Sequence, residues 1–180
     1  MTVKNIYTKY QVPPNLQDHM LRVTGMVGSI FDSWTGKSLD QNTLLTASLL
    51  HDIGNLIKFD LVNPNAIAFL GPEAKNVDHW RKVQSEMKQK YGFDDDTATH
   101  LICQELGVGS NAMFIIDNWG FGNFDKILAS DNWEYKVCVY SDHRIGPNGI
   151  LSLAERFENQ RKRYLKTPNK NNSATISSHL

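Results

Sequence analysis

Apolar positions recur along this chain with a helical period nearly everywhere, and strand-like alternation is scarce. The pattern predicts a helix after Pro13-Pro14 that runs to about Trp34, with Val23, Val27, Ile30, Phe31 and Trp34 as its buried stripe. Trp34-Thr35-Gly36-Lys37 reads as its end. Asp40 suits the N-cap of a second helix, which carries TLLTASLL into His51-Asp52. That helix is apolar on most faces and is expected at the centre of a bundle. Gly54-Asn55 ends or bends it. Asp60 to Asn76, with Pro64, Gly71 and Pro72, reads as a connection with room for a short helix at Ala66 to Leu70. A third helix is expected from about Glu73 to Tyr91, stopped by Gly92.

Asp94-Asp95-Asp96 opens a fourth helix, where carboxylates suit the positive helix end, and it stops around Gly107. Short helices are expected over Ser110 to Asn118 and Phe124 to Ala129, with Gly120 and Gly122 breaking the chain between them. The next spans about Trp133 to Ile145, until Gly146-Pro147. A last, amphipathic helix runs from about Ile150 to Leu165 and is basic at its end. The expected class is therefore all-α: one helical bundle domain over residues 1–166, with no internal repeat. Residues 167–180 are polar and carry too little apolar surface to order, so they are expected to be a disordered tail.

Length and charge narrow the function classes. The 180 residues suit one domain with a sizeable core. Lys plus Arg and Asp plus Glu both number 19, so no general attraction to a nucleic acid polymer or an anionic membrane is expected. A local basic patch can still bind phosphate. Cys103 and Cys138 sit in apolar helical text without a CxxC pair, as buried, reduced thiols do. The N-terminal text lacks a secretory apolar core, and no apolar run is long enough to cross a bilayer. A cytoplasmic protein is expected. The final amphipathic helix can pack on its own domain or on a second copy, so a homodimer stays open.

The strongest chemical signal is His51-Asp52-Ile53-Gly54 at the end of the most apolar helix. A histidine and an aspartate side by side under a core helix are costly unless something pairs them, and a cation does so. The mix of a borderline and a hard ligand suits Mn, Fe, Co, Ni, Zn or Mg. Further ligands must come from elsewhere. His19 in the first helix and Asp142 near the end of a later one are placed to converge on this pair, although composition alone does not select them.

These pieces resemble a known family. His19 with Arg22-Val23, then LLHDIGN (Leu49 to Asn55), then YSDHRIGP (Tyr140 to Pro147), are similar to the HD superfamily of metal-dependent phosphohydrolases. Ser141 stands where a small Ala is common. The resemblance implies an all-α HD-type bundle with His19, His51, Asp52 and Asp142 as metal ligands. It also implies a divalent transition metal (Mn, Fe, Co, Ni or Zn), one or two per chain. Some HD hydrolases add two histidines and hold two metals. His79 resembles one such extra ligand; for the other, Glu105 stands nearer the expected place than His100.

The implied reaction is hydrolysis of a nucleotide or other small phosphorylated metabolite by metal-activated water. Arg22, one helical turn after His19, Lys58, soon after the HDIG segment, and Arg144 are candidates for phosphate contacts, in that order. Asp52 and Glu105 are the candidate bases, and Asn55 positions substrate or caps the chain. His143 reads as a pocket or surface residue. Trp119-Gly120-Phe121-Gly122 reads as core packing in preference to a mobile lid. Two alternatives remain: a dinuclear iron HD-type oxygenase acting on a small alcohol or phosphonate, and a non-catalytic ligand-binding module.

Overall fold

The computed structural model describes residues 1–120, 123–146 and 149–166, apart from the side chains of residues 160 and 162–166. Ten helices follow in chain order within them. They are α1 (Val3–Lys9), α2 (Pro14–Asp32), α3 (Gln41–Leu50), α4 (Pro64–Ile67) and α5 (Val77–Tyr91). Then come α6 (Asp95–Glu105), α7 (Ser110–Asp117), α8 (Phe124–Ala129), α9 (Trp133–Arg144) and α10 (Leu153–Lys166). The fold is all-α, as expected. The expected disordered tail, 167–180, lies outside the described residues.

The core forms where α2 lies across α3 and both meet α9. Met20, Val23 and Val27 make the inner stripe of α2. Fully burying such side chains contributes roughly 1.5–3 kcal/mol each. Helix α3 buries Thr43, Leu44, Ala47, Ser48 and Leu50, which confirms its central place. The Asp40 side chain accepts from the Asn42 N–H at 3.0 Å and so caps α3 where the text indicates. Ser48 locks α3 to α2, since the Thr24 hydroxyl donates to it at 3.1 Å. Both cysteines are buried and free, and burial pushes the Cys103 thiol up to about 12.

Several boundaries differ from expectation. Helix α5 begins at Val77, because Gly71 (φ 60°) kinks the 3₁₀ run of residues 68–76 that precedes it. The short helix of the connection is Pro64–Ile67, earlier than expected. Ile145–Gly146 (β1) and Gly149–Ile150 (β2) form a small antiparallel pair, Ile145 facing Ile150, where helical text was expected to stop and restart. Helix α1 was not expected; Tyr7 anchors it by donating its hydroxyl to the Leu49 carbonyl at 2.7 Å. Among the described residues no helix is long and apolar enough to cross a membrane.

Two contacts set the turn that follows α3. Gly54 is closely approached by α6: a Cβ there would stand 2.6 Å from the Thr99 nitrogen and 2.8 Å from the Asp95 carbonyl oxygen. The Gly54 N–H donates to the Thr99 hydroxyl at 3.1 Å. Gln84 of α5 then donates to the carbonyls of Leu56 and Phe59, both at 2.8 Å. The end of α3 is thus clamped from two sides before the chain leaves the core.

Candidate metal centre

Four side chains from three helical segments converge. His19 comes from the middle of α2, His51 and Asp52 from the end of α3, and Asp142 from the last turn of α9. His19 Nε2 lies 3.4 Å from His51 Nε2, 3.5 Å from Asp52 Oδ2 and 3.1 Å from Asp142 Oδ1. His51 Nε2 lies 3.7 Å from Asp52 Oδ2 and 3.9 Å from Asp142 Oδ1. Donors that share one ion, each about 2.0–2.2 Å from it, stand about 3–4 Å apart. The spacing fits a divalent cation.

Tautomer and charge fit as well. The Nδ1 of His51 stands 2.9 Å from the Ser48 carbonyl, which can only accept. That bond places the proton on Nδ1 and leaves the Nε2 lone pair facing the other three donors, the arrangement a histidine ligand needs. Burial alone would raise the Asp142 carboxyl, but the His19 hydrogen bond and the nearby imidazoles hold it well below the usual carboxylate range. Burial likewise pulls His19 down, yet the hydrogen bond and charge of Asp142, with the charge of Asp52, outweigh it and raise the imidazole. Both shifts have one cause: the carboxylates draw positive charge into the cluster. A cation meets that demand with no proton.

The cluster opens on one side. The His51 side chain is 1 % exposed and Asp142 13 %, whereas Asp52 and His19 are 23 % and 25 % exposed. The open side faces a cavity of about 560 Å³, whose wall includes all four residues. Such a volume suits a small metabolite. Trp119 stacks on His51 with ring centroids 4.2 Å apart and planes 12° from parallel. Its Nε1 donates to Asp142 Oδ2 at 3.3 Å. Trp119 therefore orients two of the candidate ligands. The expected core role did not foresee this, and Phe121 and Gly122 of the same text lie outside the described residues.

The remaining candidates divide. Arg22, Lys58, Asn55 and His143 line the cavity. Lys58 meets Asp95 at 2.5 Å; burial lowers its ammonium pKa, but that bond and the charges of Asp52, Asp95 and Asp96 leave it raised. His143 is buried, with Nδ1 2.7 Å from the Val139 carbonyl and its ring against Phe124 and Phe157. Burial lowers its pKa.

Three expectations are corrected. Glu105 is not at the centre: its carboxylate accepts from the Tyr10 and Tyr91 hydroxyls and from Lys90, on another face. It stands at the far end of α6, ten residues beyond Asp95, or about 15 Å along the axis. His79 is exposed at the start of α5 with its ring against Trp80, and does not line the cavity. Arg144 turns back to the Tyr140 hydroxyl and the Leu151 carbonyl. His100, the other residue weighed beside Glu105, pairs with Asp117 at 2.7 Å, outside the cavity.

The cavity wall also holds residues the text did not single out. Arg156 reaches it from α10, and Asn15 lies one turn before His19 on α2. Each carries a buried polar atom without a hydrogen-bond partner among the described residues, Arg156 Nε and Asn15 Oδ1. The Arg156 charge is near enough to His19 and His143 to oppose their protonation. Phe59, Phe69, Asp18 and Asp96 complete that side of the wall.

The sequence model of the HD domain family matches residues 16–135. The chain belongs to the HD domain family. The matched stretch holds His19, His51 and Asp52, which also form a compact metal-capable group, their donor atoms within 4.8 Å of one another. Asp142 lies beyond the match, so its place in this HD domain rests on its contacts with His19 and Trp119. Searches of curated proteins and of solved structures returned no match.

Proposed function

We propose that the protein is a metal-dependent phosphohydrolase acting on a nucleotide or other small phosphorylated metabolite. The observation that carries this reading is the convergence of His19, His51, Asp52 and Asp142 at the floor of a cavity that also holds Arg22, Lys58 and Arg156. A divalent metal held by the four would supply Lewis acidity toward a phosphoryl oxygen and a water acidic enough to attack at neutral pH.

The chain's own groups do the rest. His51 and Asp142 are the fixed, buried members of the set, oriented by Ser48 and Trp119. Asp52 is the more open carboxylate and is placed to orient the attacking water and accept its proton. The water oxygen forms the new bond to phosphorus, the bond to the leaving oxygen breaks, and that oxygen takes a proton from solvent. The cationic side chains balance charge on the phosphoryl oxygens. Trp119, Phe59 and Phe69 give the cavity an aromatic wall against which the organic part of the substrate can pack. A dinuclear oxygenase needs further ligands, and Glu105, His79 and His100 all stand elsewhere.

The test is release of inorganic phosphate from a panel of nucleotides and sugar phosphates, under nitrogen, with His51→Ala and Asp52→Ala as controls. Phosphate release by the wild type and loss of about 10²-fold or more in either variant is expected. Full activity in both variants, or turnover that appears only once oxygen is admitted, would rule the reading out.

A further inference from the structure

Arg156 lies outside the family match and on the last helix, yet it is part of the cavity wall. A buried guanidinium nitrogen without a partner is costly, because it has left water and gained nothing. Among the described side chains of its own helix none supplies one. On α10, Glu158 is engaged with Arg161 through Oε2 at 3.0 Å, and Glu155 accepts from Ser152. Helix α10 is held against the domain by Phe157, whose ring meets Phe124 at 5.6 Å and His143 at 6.4 Å. The arginine beside Phe157 is thereby carried to the His19 side of the centre.

The cavity consequently has two unlike ends. Along α2, Asn15, His19 and Arg22 follow one another at helical spacing, on one face. Arg22 marks a cationic end along α2, and Arg156 adds a second positive charge to the wall, felt by His19 and His143. Asn15, whose Nδ2 donates to the Phe69 carbonyl at 3.3 Å, marks the other with Phe69 and a bare acceptor oxygen. Lys58 lies with Asp95 and Asp96, whose charges neutralise it. Arg156 is thus a wall cation with a buried donor that no described residue takes up.

We propose that Arg156 is a phosphate-binding residue. Its guanidinium grips a non-bridging oxygen of the substrate's phosphoryl group from the α10 side of the metal centre, and the organic part of the substrate points toward Asn15 and Phe69. The inference rests on the phosphohydrolase reading and deepens it. It assigns the orientation of the substrate and makes α10 part of the binding site. A guanidinium suits this role because its planar fork matches phosphate oxygens in pairs.

Calorimetric titration with inorganic phosphate, on full-length protein loaded with Mn²⁺, tests it without any turnover. Wild type is expected to bind phosphate, and Arg156→Ala to bind it about tenfold or more weakly. Arg156→Lys should recover part of the loss, and Arg161→Ala, on the same helix but facing away, should bind as wild type does. Arg156→Gln serves if the alanine variant melts early. Equal phosphate affinity in wild type and in the folded Arg156 variants would overturn the assignment and leave the hydrolase reading standing. No phosphate binding by the wild type itself would overturn both.

Discussion

Trp119 combines two contacts that are separable by mutation. Its ring covers His51, and its Nε1 donates to Asp142 Oδ2. Trp119→Phe keeps an aromatic face and removes the donor. Outer contacts of this kind are worth about 10–100-fold in metal affinity. The expected result is Mn²⁺ affinity lowered by about tenfold with little change in melting temperature, read by competition with a chromophoric chelator. Unchanged affinity would mean that Asp142 needs no help from Trp119. Glu105 offers the opposite case, a charged residue that holds the fold rather than the site. Lys90 first, then the Tyr10 and Tyr91 hydroxyls, outweigh burial and hold its carboxyl below the usual glutamate range. A depressed folded pKa stabilises above the unfolded pKa of about 4.3. That contribution is lost as pH falls through the folded value. Glu105→Gln is therefore expected to melt a few degrees lower at pH 7, and the difference from wild type should shrink as the pH falls below the usual glutamate range. Phosphate release at pH 7 should be unaffected, since the group does not line the cavity.

At the level of elements, the turn after α3 decides where the HD pair points. Gly54 gives α6 the room to lie against it, and Thr99 answers with a hydroxyl. Gly54→Ala would drive a Cβ into backbone atoms that cannot swing aside. The expected cost is about 1–3 kcal/mol in chemical denaturation. Metal binding should weaken as well, because Asp52 is displaced with its backbone. A fully stable variant would show that α6 can shift without cost. The same elements explain what was legible in the text. Helices α2 and α3 carry long apolar periods, so they could be read from the pattern, whereas the candidate ligands His19, His51 and Asp52 were picked out by the resemblance of their motifs to the HD superfamily. Helix α1 has seven residues and one buried side chain, Tyr7, too little for a period to emerge. The β1–β2 pair is two residues a side and leaves no alternation at all. Glu105 was misplaced for a different reason: its helix does reach the site, but by its N-terminal end. Arg156 was passed over because a charge on an amphipathic helix looks the same whether it meets solvent or a cavity.

The whole molecule is assembled around the same centre. Helices α2, α3 and α9 each send candidate ligands into it, and these three also make the core. Without a cation, two carboxylates and two imidazoles share a partly buried space, and the carboxylates are balanced by positive charge held on the imidazoles. A bound metal would balance the same carboxylates without a proton. Since the candidate ligands converge only in the folded chain, a metal held by them would bind the native state and stabilise it by mass action, about 2.7 kcal/mol at a free concentration of 100 times the dissociation constant. Addition of Mn²⁺ to chelator-stripped protein is therefore expected to raise the melting temperature by several degrees, in step with the logarithm of free metal. His51→Ala breaks the set at its most buried member and should remove that dependence. Its metal-free form is expected to melt a few degrees below metal-free wild type, because Asp142 loses an imidazole partner and Trp119 its stacked ring. A melting temperature in wild type that ignores metal over a hundredfold range of concentration would mean that the four side chains hold no ion, and that the folded core tolerates their convergence by protonation alone.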